Sequence, residues 1–236
     1  MSEPGPPVAA SGAVVTGRIE EIRRRIALVG DVDAVTVVAV TKGFGADAVA
    51  AARMAGLDDL GESYAPELVE KAEAAAAAGG HGVRWHFIGR LQSNKVRRLA
   101  GTVHLWQSVD RPSVVAELAR HAPGASILVQ VNVSGEPQKG GCEPVDAGGF
   151  VADVRAAGLD VRGLMCIGAP GGDEAARPGF RLLRSLADDL GLAERSMGMT
   201  GDLTAAVEEG STMVRLGTAL FGARPGPRSG PTGLRH

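Results

Sequence analysis

The sequence predicts a single closed (β/α)8 barrel, a TIM barrel, and three observations carry that expectation. Eight short candidate strands recur between residues 13 and 224, and each but the last is followed by a segment with helical spacing. Polar and glycine-rich segments fall repeatedly just past the C-terminal ends of those strands, where barrels of this kind gather their chemistry. No Gly-x-Gly-x-x-Gly turn is present, which weakens the alternative of an open doubly wound sheet.

The elements follow in order. After a Pro/Gly/Ala-rich leader over 1–12, Ile19, Ile22, Ile26 and Val29 recur at helical spacing, and Gly30 closes the helix. The β-branched run 35–40 is a buried strand, and Asp47 is placed as the N-cap of a helix ending at Gly56. Residues 57–61 form the second strand; Pro66 then opens an Ala-rich helix that stops at Gly79-Gly80. Strand three covers 85–88 and its helix 94–100. Strand four covers 103–108, with Asp110 and Pro112 opening the next helix. Strand five, at 126–133, leads through a glycine-rich loop to a helix at 147–157, and strand six spans 161–166. Residues 173–190 are helical in spacing but interrupted by Pro178-Gly179. A short strand at 195–197, a helix at 202–209 and a strand at 212–216 complete the series. The organisation expected is a flexible leader (1–12), one barrel (13–224) and a disordered tail (225–236) rich in proline and glycine.

Composition excludes several classes. A net charge of −2 supplies no drive toward nucleic acid or an anionic membrane surface, and 3% aromatic residues leave little for base stacking. No apolar run reaches membrane-spanning length. Cys142 and Cys166 lie far apart without metal-ligand spacing, so both are expected as free thiols of a cytoplasmic protein with no metal site. A chain of this length is short for two domains, and a monomer or weak dimer is expected.

The chemistry is expected around Thr41-Lys42-Gly43. Side chains alternate along a strand, so Lys42 is in phase with Val38 and Val40 and directed toward the barrel mouth. Partial desolvation there disfavours the charged amine, and the uncharged amine is the form that attacks an aldehyde. Only three other lysines occur, Lys71, Lys95 and Lys139. The usual phosphate site of such barrels lies in the loops after strands seven and eight. Here those loops are Met197-Gly198-Met199-Thr200-Gly201 and Gly217-Thr218, which offer amides, hydroxyls and little side-chain bulk. Arg215 lies in the eighth strand, two residues before Gly217; a guanidinium beside a pyridine nitrogen keeps that nitrogen unprotonated. Lysine, arginine and anion site together describe a pocket for pyridoxal 5'-phosphate (PLP). A barrel enzyme forming a Schiff base between Lys42 and a sugar phosphate is the competing class. The basic run Arg90, Lys95, Arg97, Arg98 reads as a solvated helix face, and Lys139 beside Gly140-Gly141 as a secondary docking point for the anion.

Several motifs also resemble one family. Ala39-Val40-Thr41-Lys42, Gly61-Glu62-Ser63-Tyr64, Trp85-His86-Phe87-Ile88-Gly89 with Leu91-Gln92-Ser93-Asn94-Lys95, Gly163-Leu164-Met165, Ser196-Met197-Gly198-Met199-Thr200 and Val214-Arg215-Leu216-Gly217-Thr218 are similar to those of the pyridoxal phosphate homeostasis proteins. The resemblance covers about residues 16–224. It implies a barrel like the N-terminal domain of alanine racemase and a Schiff base between PLP and Lys42. It also implies cofactor contacts from Ser63, Met197, Thr200, Arg215, Gly217 and Thr218. The chain departs from the family pattern in carrying Ser63 for asparagine, Arg90 for proline, and Gln107 for histidine in the loop after strand four.

The implied role is to bind, buffer and supply PLP, with PLP-dependent apo-enzymes as recipients and no catalytic residues. The alternative is a weak PLP-dependent amino-acid racemase or decarboxylase. A racemase of this fold needs a second base opposite the lysine. Tyr64 is the sole tyrosine, no second domain is expected to bring another, and no lid segment is evident.

Overall fold

The computed structural model describes residues 10–80 and 82–223. Eight parallel strands form the closed barrel: β1 (Thr36–Val40), β2 (Asp59–Glu62), β3 (Arg84–Phe87), β4 (Val103–Val109), β5 (Ser126–Gln130), β6 (Asp160–Met165), β7 (Glu194–Ser196) and β8 (Met213–Leu216). They pair in chain order, and β8 returns to β1 with Val38 opposite Arg215. The helices are α1 (Gly12–Ala27), α2 (Ala46–Met54), α3 (Ala65–Ala77), α4 (Val96–Leu99), α5 (Pro112–His121), α6 (Ala147–Ala156), α7 (Asp173–Asp189), α8 (Leu203–Glu208) and α9 (Thr218–Phe221). The expected leader and tail lie outside the described residues, apart from 10–12, and α1 already begins at Gly12.

Two hydrophobic clusters hold the barrel. The larger lies between strands and helices, where Ala39, Leu60, Phe87, Trp106, Ile127 and Leu164 meet the helical apolar faces. The smaller is inside the ring and consists of Val38, Leu105, Leu128, Met165 and Met213. Strands covered on both faces read as near-continuous apolar runs, as β1 (Thr-Val-Val-Ala-Val) and β5 (Ser-Ile-Leu-Val-Gln) do, whereas β7 is Glu-Arg-Ser and is placed by its position in the series. Gly163 is required by the close approach of β6 to β7: a Cβ there would stand 1.9 Å from the Glu194 carbonyl oxygen.

Four expectations are corrected. Gly45, not Asp47, is the N-cap of α2, and Asp47 lies in its first turn, where a carboxylate still suits the helix dipole. α7 runs unbroken through Pro178, because Ala176, Phe180, Leu183 and Ala187 bury one face of it. The proline falls early in the helix, where the carbonyl it fails to engage belongs to exposed Glu174. β5 stops at Gln130, because residues 131–146 fold back on it: Cys142 N donates to Gln130 O, and Asn132 N to Cys142 O. Finally, Gln107 lies within β4 rather than in the loop after it.

Candidate cofactor site at the barrel mouth

Four consecutive staves, β7, β8, β1 and β2, carry the expected site residues to one arc of the C-terminal rim. Lys42 is half-buried in the turn that leaves β1, two residues past Val40. Ser63 follows the last residue of β2, with Gly89 packed on its backbone: a Cβ on Gly89 would meet the Ser63 carbonyl oxygen at 2.1 Å. Thr200 is exposed in the loop between β7 and α8, and Gly217 and Thr218 form the N-terminal turn of α9. A Cβ on Gly217 would stand 3.2 Å from the Val40 carbonyl oxygen, so this position brings the phosphate-loop candidate against the strand that leads to Lys42.

Met197 does not join them. Its side chain is fully buried in the outer core, its N–H donates to Met213 O at 3.1 Å, and its carbonyl accepts from Ser211 Oγ at 2.8 Å. The residue shapes the loop from behind. Gly198, with φ of 97°, turns the chain there, and its carbonyl accepts the Arg215 N–H at 3.0 Å. The buried Asp202 carboxylate then accepts the Met199 N–H at 2.5 Å, fixing the loop that presents Thr200.

A buried ion cluster grips the turn that carries Lys42. Lys71 of α3 donates to the Thr41 carbonyl at 2.8 Å and pairs with Glu62 and, at 3.1 Å, with Glu67. Glu62, fully buried at the end of β2, also accepts from the Thr41 hydroxyl at 2.9 Å and from Ser63 N at 3.1 Å. Glu67 reaches the Gly43 N–H at 2.9 Å. Both neighbours of Lys42 are therefore tied to one charged cluster. Burial pushes the Glu62 carboxyl up, and the Lys71 charge with the Lys71 and Thr41 hydrogen bonds offsets part of that shift. Sequence reasoning missed Lys71 and Glu67. The available signal was a lysine three residues after Leu68, on the apolar face of α3, with Glu67 one turn before it.

Arg215 is the other feature of the mouth. It is 5% exposed, and its Nη1 donates to Ser196 Oγ and its Nη2 to the Cys166 carbonyl, each at 2.7 Å. Those bonds use two of the five guanidinium N–H groups, and among the described residues no carboxylate lies within ion-pair distance. Burial pulls its pKa below the usual guanidinium range.

The opposite rim is built by residues 131–146, a longer element than the sequence suggested. Lys139 is occupied in holding it. The ammonium donates to Gly168 O at 2.7 Å and pairs with Glu136, while the Lys139 carbonyl accepts from Gln130 Nε2 at 2.7 Å. Asn132 Oδ1, buried at this rim, has no hydrogen-bond partner among the described residues.

Residues 17–225 match the family described as alanine racemase, N-terminal domain. The pyridoxal phosphate homeostasis protein of Pseudomonas aeruginosa is 42% identical over 225 residues, covering 92% of this chain and 96% of that protein. Its namesake from Escherichia coli K12 is 37% identical over 80% of this chain and 86% of its own length. The structure of PipY from Synechococcus elongatus with PLP bound superposes with a TM-score of 0.78 at 28% identity, covering 88% of this chain and all (100%) of that one. Alanine racemase of Clostridium difficile shares the fold at a TM-score of 0.72 and 13% identity, over 95% of this chain and 64% of that one.

Proposed function

Since the chain belongs to the pyridoxal phosphate homeostasis protein family, within the alanine racemase N-terminal domain barrels, we propose that it binds PLP through Lys42 and serves to buffer and supply the cofactor. The observation that carries this reading is Arg215, a buried cation at the mouth with unused donors and, among the described residues, no carboxylate within ion-pair distance, on the stave beside the one that leads to Lys42. A pyridine nitrogen, an uncharged acceptor, fits that guanidinium without protonation.

PLP carries an aldehyde that condenses reversibly with a primary amine, releasing water. Lys42 supplies that amine from a turn whose two flanking residues are fixed by the Glu62–Lys71–Glu67 cluster. Arg215 donates toward the ring nitrogen. The hydroxyls of Thr200 and Thr218 and the amides at Gly217 and Thr218 take the phosphate, with Asp202 holding the loop from behind. Ser63, at the rim between Lys42 and β3, is a shorter polar neighbour of the cofactor than an asparagine. The carrier role, with PLP-dependent apo-enzymes as recipients, is supported by the names of the relatives. It is also supported by Tyr64, the sole tyrosine, being 59% exposed at the N-cap of α3 rather than buried at the mouth, where a proton-transfer role would place it.

Adding PLP to the purified protein should raise a visible band near ~420 nm that borohydride removes. Lys42→Ala should show neither. A reducible adduct in that variant would defeat the assignment. Deuterium exchange at Cα of a panel of amino acids should match the Lys42→Ala background; exchange above it would make the protein an enzyme.

A further inference from the structure

We propose that Gln107 is a positioning residue for Arg215, the central link in a file of hydrogen-bonded side chains that threads the barrel from base to mouth. At the base, Arg84 of β3 grips Asp59 of β2 through Nε at 2.7 Å and Nη2 at 2.5 Å. Asp59 Oδ1 meets His86 Nε2 at 2.9 Å, and His86 Nδ1 meets Gln107 Nε2 at 2.7 Å. Gln107 Oε1 accepts from Ser196 Oγ at 2.7 Å, and Ser196 Oγ accepts from Arg215 Nη1 at 2.7 Å. Five strands supply the links, and His86, Gln107, Ser196 and Arg215 are all at most 5% exposed.

The chemistry of the file gives it one direction. Arg215 can only donate, so Ser196 accepts from it and turns its own proton toward Gln107. The glutamine carbonyl takes that proton, which leaves its NH2 facing His86. One amide hydrogen goes to His86 Nδ1 and the other to Met213 Sδ at 3.0 Å. Nδ1 is then an acceptor, so the ring proton sits on Nε2 and points at Asp59. From Arg215 through Ser196, Gln107 and His86 each link donates toward the base, and the series ends on the Asp59 carboxylate, which Arg84 holds from the other side. No link can rotate without leaving a buried neighbour unpaired, so the orientation of the guanidinium at the mouth is held by a residue that does not touch it.

The position demands a side chain that offers a donor on one side and an acceptor on the other. A glutamine amide does so, and so does a neutral imidazole; methionine matches the volume and offers neither. That the fixed guanidinium serves a bound cofactor rests on the function proposed above, whereas the file itself does not.

The test compares the full chain with Gln107→Met, Gln107→His and Ser196→Ala, reading melting temperature without cofactor, PLP affinity, and the pH profile of the bound cofactor's visible band. Gln107→His should keep affinity within about twofold and leave the profile in place. Gln107→Met and Ser196→Ala should each bind PLP about tenfold more weakly, the loss of one charge-assisted hydrogen bond, and shift the profile. Folded variants with wild-type affinity and an unshifted profile would overturn the proposal; if Gln107→Met does not fold, Ser196→Ala decides alone. If the wild-type protein takes up no PLP, the functional reading fails instead. Nitrogen-15 spectroscopy of His86 in the cofactor-free protein then still decides on the file: Nε2-protonated imidazole supports it, and Nδ1-protonated imidazole refutes it.

Discussion

Lys71 and Arg215 are both buried cations near the mouth, held in opposite ways. Lys71 sits between two carboxylates, and removing one member of a buried ion pair costs far more than the pair contributes. Lys71→Met should therefore destabilise the protein by about 3–5 kcal/mol in denaturant unfolding, and adding Glu62→Gln should recover part of the loss. A Lys71→Met protein as stable as wild type would remove the cluster from the account. Arg215 has no such partner among the described residues and is held instead by Ser196 Oγ and the Cys166 carbonyl. The cysteines offer a separate check at this scale. Burial pushes the Cys142 thiol up to about 11 and the Cys166 thiol up to about 12. Neither should react appreciably with a thiol reagent at pH 8 until the protein is unfolded, and rapid labelling of the native protein would contradict that.

Among the elements, strands and helices differed in how far sequence alone located them. The cores of β1 and β5 were legible because parallel strands buried on both faces leave an apolar signature, whereas the short β7, Glu194–Ser196, was placed by the alternation of strands and helices around it. The continuity of α7 and the end of β5 were not legible, because each is decided by contacts distant in sequence, and the cap of α2 fell two residues before the carboxylate that suggested it. In α7, Gly179 lies so close to Val133 that a Cβ would meet its Cγ2 at 2.7 Å, and this packing outweighs the lost hydrogen bond at Pro178. Glycine substitutions separate packing from propensity. Gly163→Ala drives a methyl group into the Glu194 carbonyl and should cost more than about 3 kcal/mol or prevent folding. Gly149→Ala, in α6 with nothing within 4 Å, should leave the fold intact and raise stability by up to about 1 kcal/mol. Equal thermal shifts for the two would contradict the packing argument.

Over the whole molecule, the barrel has two distinct ends: the mouth gathers Lys42, Arg215 and the loops after β7 and β8, while the base carries the Arg84–Asp59 ion pair. The base also holds a carboxylate whose contribution falling pH removes. Burial pushes the Asp59 carboxyl up, but the hydrogen bonds it accepts from His86 and Arg84, together with the Arg84 charge, prevail and hold it well below the usual carboxylate range. Its folded pKa thus lies below the unfolded value of about 3.9. The stability it contributes is full above that pH and is lost as pH falls below it. Asp59→Asn should be less stable than wild type at pH 7, with the gap closing below about pH 4; a pH-independent gap in melting temperature would contradict this. The motifs around Lys42, Ser63, Thr200, Arg215 and Gly217 were legible because barrel topology alone says which ends of which strands converge. The interior file was not, since bonds such as Ser196 to Gln107 span 89 positions in the chain and no local pattern announces them.

The central claim is that Lys42, rather than Lys71, Lys95 or Lys139, carries the cofactor. It is tested most directly by borohydride reduction of the PLP-treated protein followed by tryptic peptide mapping. A modified lysine resists cleavage, so the account predicts the cofactor's added mass on a peptide spanning residues 26–53, uncut at Lys42. The same mass found on peptides bearing Lys71, Lys95 or Lys139, with residue 42 cleaved normally, would contradict it.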